Sequence, residues 1–205
     1  MARTAPRSPR TVSGPPPPLP VTKLVTSVGI LIVMLVFLQL YARRQIASTL
    51  DLGAGMHQAC AIAGVGATQH PASIEDMQRT MGALAPMLQP IVNNAIGAQL
   101  TTAFQCTSMG RTVWEVILHH ADTPVSVIVM RKGKGDSFPR ALGAQVDSTS
   151  GVRLHKGDAR GYAVDGFISG EYVGYVVSAM PDEDNLALAK NLAPVIQRYT
   201  QGGAK

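Results

Sequence analysis

The chain has 205 residues, with 18 Lys and Arg against 13 Asp and Glu and a formal net charge of +5. Arg3, Arg7, Arg10 and Lys23 place four of those charges in the first 23 residues, where there is no acid, leaving fourteen bases against thirteen acids in the remainder. A nearly neutral body argues against a nucleic-acid-binding domain, and about 160 residues suffice for one domain with a core but not for two.

Residues 1–20, MARTAPRSPRTVSGPPPPLP, hold seven of the fourteen prolines. A segment with so little apolar surface cannot offset the entropy of ordering, so a disordered tail with a polyproline II stretch over 15–20 is expected. Such a tail suits an aromatic groove on a partner, and its arginines suit anionic lipid.

Residues 24–42, LVTSVGILIVMLVFLQLYA, carry no charge and lie between Lys23 and Arg43-Arg44. Nineteen helical residues extend about 28 Å, close to the ~30 Å hydrocarbon core of a bilayer, so a single transmembrane helix is predicted. Leu24, Ile30, Leu35, Phe37 and Tyr41 would be its lipid-facing anchor. The four basic residues ahead of it, against two just after it, favour a cytoplasmic N-terminus and a periplasmic C-terminal portion at a bacterial inner membrane. The long n-region and the lack of a prompt A-x-A site favour an uncleaved anchor over a signal peptide.

The predicted order is therefore a cytoplasmic tail over 1–23, a membrane helix over 24–42, a stalk over 43–55 ended by Gly53 and Gly55, and a periplasmic domain over 56–205. Within that domain His70-Pro71 marks a turn. Ser73 followed by Asp76 is a capping signal, and Ile74, Met77, Met81 and Leu84 recur at helical spacing. Pro86 and Pro90 break this helix, and residues 87–96 form a second short amphipathic piece.

After Gly97 the period changes to two. Strands are predicted over 99–108, 112–120, 125–131, 162–169 and 171–180, with Trp114, Val116 and Leu118 facing one way and Val113 and Ile117 the other. Short connections imply an antiparallel meander of about five strands. Residues 131–136 read as a mobile basic loop, and 143–161 as a loop or weak edge strand around 152–154. Asp182, Glu183 and Asp184 suit the start of a last helix, whose stripe is Leu188, Leu192, Val195, Ile196 and Tyr199; Pro194 should disturb it and Gly202 end it. The fold class is α+β, with helices packed on one face of the sheet.

Candidate chemistry is sparse. Cys60 and Cys106 are the only cysteines, and a lone pair in an exported domain most simply forms a disulfide, restricting the unfolded chain by about 4 kcal/mol. Free buried thiols are one alternative. Metal ligation by His57, Cys60 and Cys106 is another, because soft sulfur with imidazole suits copper or zinc, but H-x-x-C lacks a completing motif. His119 and His120 point to opposite faces of a strand and cannot easily converge on one ligand. No G-x-S-x-G or H-E-x-x-H occurs, so no enzyme and no cofactor are expected. Tyr162, Phe167, Tyr172 and Tyr175 in the last hairpin fit either a partner-facing surface or a sheet core.

The succession LAPMLQPIV, the strand holding Cys106, GRTVWEVIL, VSVIVMRKG and YAVDGFISGEYVGYVVSAMPDEDNLALAKNLAP resembles the extracytoplasmic domain of bacterial single-pass anti-sigma-factor-like transmembrane regulators, over residues 55–198. Those regulators carry a cytoplasmic H-x₃-C-x₂-C zinc-finger module. Here the Pro-rich tail takes its place, so sigma-factor inhibition is not implied.

Three functional expectations follow. The first is a non-enzymatic accessory subunit whose partners are membrane lipid and other subunits of a membrane protein complex. The second is a transmembrane regulator that senses a periplasmic state. The third is an exported copper- or zinc-binding protein.

Overall fold

The computed structural model describes residues 21–63, 73–108, 110–138, 144–146 and 151–202, without the side chains of 21–28, 42–43, 45–48 and 144–146. The expectations for the tail, for the His70-Pro71 turn and for the Leu24 side chain lie outside these. By internal contact the chain divides into two units, residues 1–39 and 40–205.

In the first unit the described backbone is helical. It belongs to helix α1 (Val21–His57), and its described large apolar side chains, Ile30 to Leu38, are all exposed, Phe37 by 73%. Leu40 and Tyr41, in the second unit, are exposed too. Among the described residues no helix is long and apolar enough to cross a membrane.

The second unit is α+β. After α1 comes a π-helical turn (Gln58–Ile62), closed by the Ala63 N–H donating to the Gln58 carbonyl at 2.9 Å. Helix α2 (Ile74–Met81) begins where the capping signal places it, with the Asp76 N–H donating to the Ser73 hydroxyl at 3.1 Å. A 3-10 segment (Gly82–Met87) holding Pro86 leads into α3 (Leu88–Asn94). The last helix is α4 (Asp182–Gly202), with Pro194 inside it and Leu188, Leu192, Val195 and Ile196 buried as the stripe predicts.

Seven strands form one sheet: β1 (Ala98–Ser108), β2 (Arg111–His120), β3 (Thr123–Arg131), β4 (Ala144–Val146), β5 (Arg153–Ala159), β6 (Tyr162–Ser169) and β7 (Tyr172–Ser178). Their order is β1-β2-β3-β7-β6-β5-β4, and every neighbouring pair is antiparallel. This corrects the five-strand meander. Two runs, β1 to β3 and β4 to β7, join where β3 pairs β7, with Val127 opposite Val176. These are the strands with apolar residues on both faces, so pairing them at the centre removes the most apolar surface from water. Residues 153–159 form a full strand despite Lys156, Gly157 and Asp158, because β6 supplies its ladder from His155 to Ala159.

The sheet is covered on both faces, which corrects the expectation of helices on one. On the first face α2, α3 and α4 bury Trp114, Val116 and Leu118 of β2 with Val125, Val127 and Val129 of β3. On the second, Leu50, Ala54, Met56 and Cys60 pack over Phe104, Val113, Ile117, Ile128, Met130, Val173, Tyr175 and Val177. The segment expected as a stalk thus belongs to the domain: Leu50 is 3% exposed and Ala54 is fully buried. Gly53 and Gly55 do not end the helix. A Cβ on Gly53 would lie 2.8 Å from Cδ1 of Tyr175, so this glycine is where the helix backbone approaches the sheet.

The aromatic residues of the last hairpin separate. Phe167 and Tyr175 are fully buried on opposite faces, Phe167 lying over Gly174 where a Cβ would be 2.3 Å from the ring, so neither faces a partner. Tyr172 is partly buried beside Trp114 with centroids 6.0 Å apart, and Tyr162 meets His57 edge-on at 4.7 Å. The 131–136 loop is pinned rather than mobile. The Asp136 carboxylate pairs with Arg111 and accepts the Gly133 N–H at 2.8 Å.

Candidate functional site

The polar residues buried on the second face form one cluster. His57, the last residue of α1, and Cys60, within the π turn, come down over β1, β2 and β3, which present Cys106, Glu115 and Ser126. Alternation along β2 puts Glu115 on the side of Val113 and Ile117, and pairing places it opposite Phe104 of β1 and Ile128 of β3. His57, Glu115 and Ser126 are all fully buried. A π turn shifts the residues after it around the helix axis, and such turns recur at functional positions.

The hydrogen bonds have a direction. The Ser126 hydroxyl donates to Oε1 of Glu115 at 2.7 Å, and its oxygen lies 2.8 Å from Nδ1 of His57. A hydroxyl has one proton, so when Glu115 is a carboxylate Nδ1 is the donor to it and His57 is the Nδ1–H tautomer. Nε2 of His57 and Oε2 of Glu115 have no partner.

Burial sets the protonation states. It raises Glu115 from 4.5 to about 7, against the lowering effect of the bonds from Ser126 and Cys60, and lowers His57 from 6.5 to about 4. Near neutral pH His57 is therefore uncharged, while Glu115 is divided between acid and carboxylate. The thiols hydrogen-bond to each other. That bond raises Cys60, aided by burial and by Glu115, and lowers Cys106, so Cys60 holds its proton while Cys106 sheds its own more easily.

Both cysteines are free thiols, Cys60 buried and Cys106 partly buried on the edge strand β1. The structure brings together the two thiols singled out in the sequence, as a disulfide requires. It also brings His57 into the same cluster, but with Nδ1 committed to Ser126. Among the described residues no three of His, Cys, Asp and Glu are grouped so as to hold a metal ion. His119 and His120 stay at the strand end, His119 bonding to the Thr101 hydroxyl at 2.6 Å.

Near this cluster lies a cavity of about 530 Å³, lined by Ala59 and Ser108 among others, though by neither cysteine, and flanked by the pairs Arg111–Asp136 and Arg160–Asp51. Each arginine is matched by an aspartate, so the charges balance, and Leu52, Met56 and Ala59 make the rest of the wall largely apolar.

A second buried polar group sits on the other face. Nδ2 of Asn185 in α4 donates to Oδ2 of Asp165 at 2.7 Å and to the Val176 carbonyl at 3.1 Å, while Oδ1 accepts from the Ser178 hydroxyl at 2.8 Å. Burial raises Asp165 to about 6. All three bonds serve to dock α4 on the sheet, which makes this group structural.

Glu115 and Ser126 were not singled out from the sequence. The available signal was an acid at an alternation position between Val113 and Ile117, where an inner strand should be apolar. No family model matches the chain, and no curated protein is significantly similar to it.

Proposed function

We propose that this chain is a bitopic, non-enzymatic accessory subunit of a bacterial inner-membrane protein complex, with a cytoplasmic N-terminus and a periplasmic α+β domain. The observation that carries the reading is the long exposed apolar stretch of α1. Large side chains from Ile30 to Tyr41 are exposed without relief, in a stretch that is uncharged from residue 24 to 42. A soluble chain rarely leaves so large an apolar surface in water, and lipid or a neighbouring membrane helix is the cover it fits.

The sequence holds no G-x-S-x-G or H-E-x-x-H motif, which supports the non-enzymatic part of the proposal. Partner contact then falls to the membrane helix and to the exterior of the domain, since Phe167 and Tyr175 are spent on the core. The test is purification of the full chain from native membranes in mild detergent. The expected result is retention in the membrane through an alkaline carbonate wash and reproducible co-purification of defined proteins at fixed ratio. Release by carbonate would overturn the anchor, and a monomeric particle with nothing bound would overturn the subunit.

A further inference from the structure

We propose that Cys60 and Cys106, together with Glu115, form an exchange-active dithiol that reacts with an organic disulfide, Cys106 attacking and Cys60 resolving. This goes beyond the membrane reading and does not depend on it.

Three observations carry the assignment. Cys60 and Cys106 come from separate elements, the π turn and the edge strand β1, yet pack into one cluster on the second face of the sheet. They differ in access: Cys106 is partly buried, while Cys60 is buried. The 530 Å³ cavity is lined by Ala59, the residue before Cys60, and by Ser108, two residues past Cys106 on the same side of β1, which gives a peptide-sized disulfide a place to sit near the pair. Beneath Cys60 lies Glu115, a buried carboxyl with one oxygen unpartnered. A purely structural thiol pair would need neither the carboxyl nor the cavity.

The electron and proton balance is complete. The Cys106 thiolate, favoured by the bond from Cys60, attacks one sulfur of the oxidant, and the oxidant's S–S bond breaks to release its first thiol. Cys60 then passes its proton to the Glu115 carboxylate and attacks the Cys106 sulfur, expelling the second thiol. Two protein thiols become one disulfide, and one external disulfide becomes two thiols. The groups facing Glu115 are His57 and Cys60 from α1 and the π turn, Cys106 from β1, and the uncharged Ser126 from β3. His57 is neutral above about pH 4, so Glu115 and Cys106 set the pH profile near neutrality. The product would bond the end of α1 to the edge of the sheet.

The experiment uses the reduced full-length chain in lipid nanodiscs, glutathione disulfide as oxidant, acid quenching and peptide mass spectrometry over time. The wild type should pass through glutathione on Cys106 to a Cys60–Cys106 link with no glutathione retained. Cys60→Ser should trap glutathione on Cys106, Cys106→Ser should react roughly ten-fold more slowly, and Glu115→Gln should lengthen the mixed-disulfide stage and remove the inflection near pH 7 from its decay. The proposal is overturned if the wild type stays unreacted, if its early adduct sits on Cys60, or if Cys106→Ser reacts at the wild-type rate. An unchanged pH profile in Glu115→Gln removes Glu115 from the step. The site of the first wild-type adduct decides the central point even if a variant misfolds.

Discussion

The two faces of the sheet are built from the same strands and differ in what covers them. Under α2, α3 and α4 the contact is apolar apart from one hydrogen-bonded group, in which Asn185 bonds to Asp165, Ser178 and a backbone carbonyl, while Oδ1 of Asp165 and the Trp114 indole N–H keep no partner. Under the end of α1 the contact includes a carboxyl and an imidazole that each keep an unpartnered atom, beside two thiols. Buried polar atoms without partners cost free energy, and both faces carry such atoms; what sets the second apart is that its buried carboxyl and imidazole share one cluster with both cysteines.

The largest expected effect breaks the first face. Leu192 is fully buried in α4, and Leu192→Ala should lower unfolding stability by about 2–5 kcal/mol in a denaturant titration. A loss below about 1 kcal/mol would mean that α4 is not the principal cover of the sheet.

The next should stabilise the protein. Glu115 is raised from 4.5 to about 7, so between those values the folded state keeps a proton that the unfolded chain releases. Its contribution is full below 4.5 and is lost as pH rises through about 7. Glu115→Gln stays neutral, so near pH 8 it should exceed the wild type by about 3 kcal/mol, with the gap closing towards pH 4. His57 acts in the opposite sense: lowered from 6.5 to about 4, it contributes fully above 6.5 and loses that contribution as pH falls through 4. The difference between variant and wild type isolates Glu115 from this background. A variant less stable than the wild type near pH 8 would contradict the assignment.

Gly53→Ala sharpens the comparison at the point where α1 meets the sheet. The added methyl meets the Tyr175 ring at 2.8 Å, and overpacking of this kind costs about 1–3 kcal/mol, offset by the ~1 kcal/mol that alanine gains in a helix. The expected net change is a loss of about 1 kcal/mol in the same titration. A gain would show that α1 is loosely seated. The smallest effect is expected at Arg160, whose pair with Asp51 is exposed. Arg160→Ala should leave the unfolding midpoint unchanged within scatter.

Local order could be read from the chain wherever one element decides the outcome. Ser73 and Asp76 mark the start of α2, the acids at 182–184 and the stripe from Leu188 to Ile196 define α4, and alternation along β2 assigns its faces. Pairing of β3 with β7 depended on residues some fifty positions apart, which no local period reports. Strand β5 was obscured because Lys156, Gly157 and Asp158 break the alternation of apolar residues. Gly53 and Gly55 read as a stop because a glycine used for close approach looks, in sequence, like one used to end a helix.

The site was half legible for a related reason. His57 and Cys60 stand three apart on one helix end and invite attention, and Cys106 is conspicuous as the only other cysteine. Glu115 and Ser126 join them only through strand register, since they lie on adjacent strands and meet across the ladder beneath the π turn.

Infrared titration of the buried carboxyl tests the account most directly. In the folded full-length chain, the carbonyl band of a protonated carboxylic acid, assigned to Glu115 by its loss in Glu115→Gln, should disappear with a midpoint near pH 7. A midpoint at the ordinary value of 4.5 would mean that the carboxyl is solvated, and the sealed cluster under α1 would not exist.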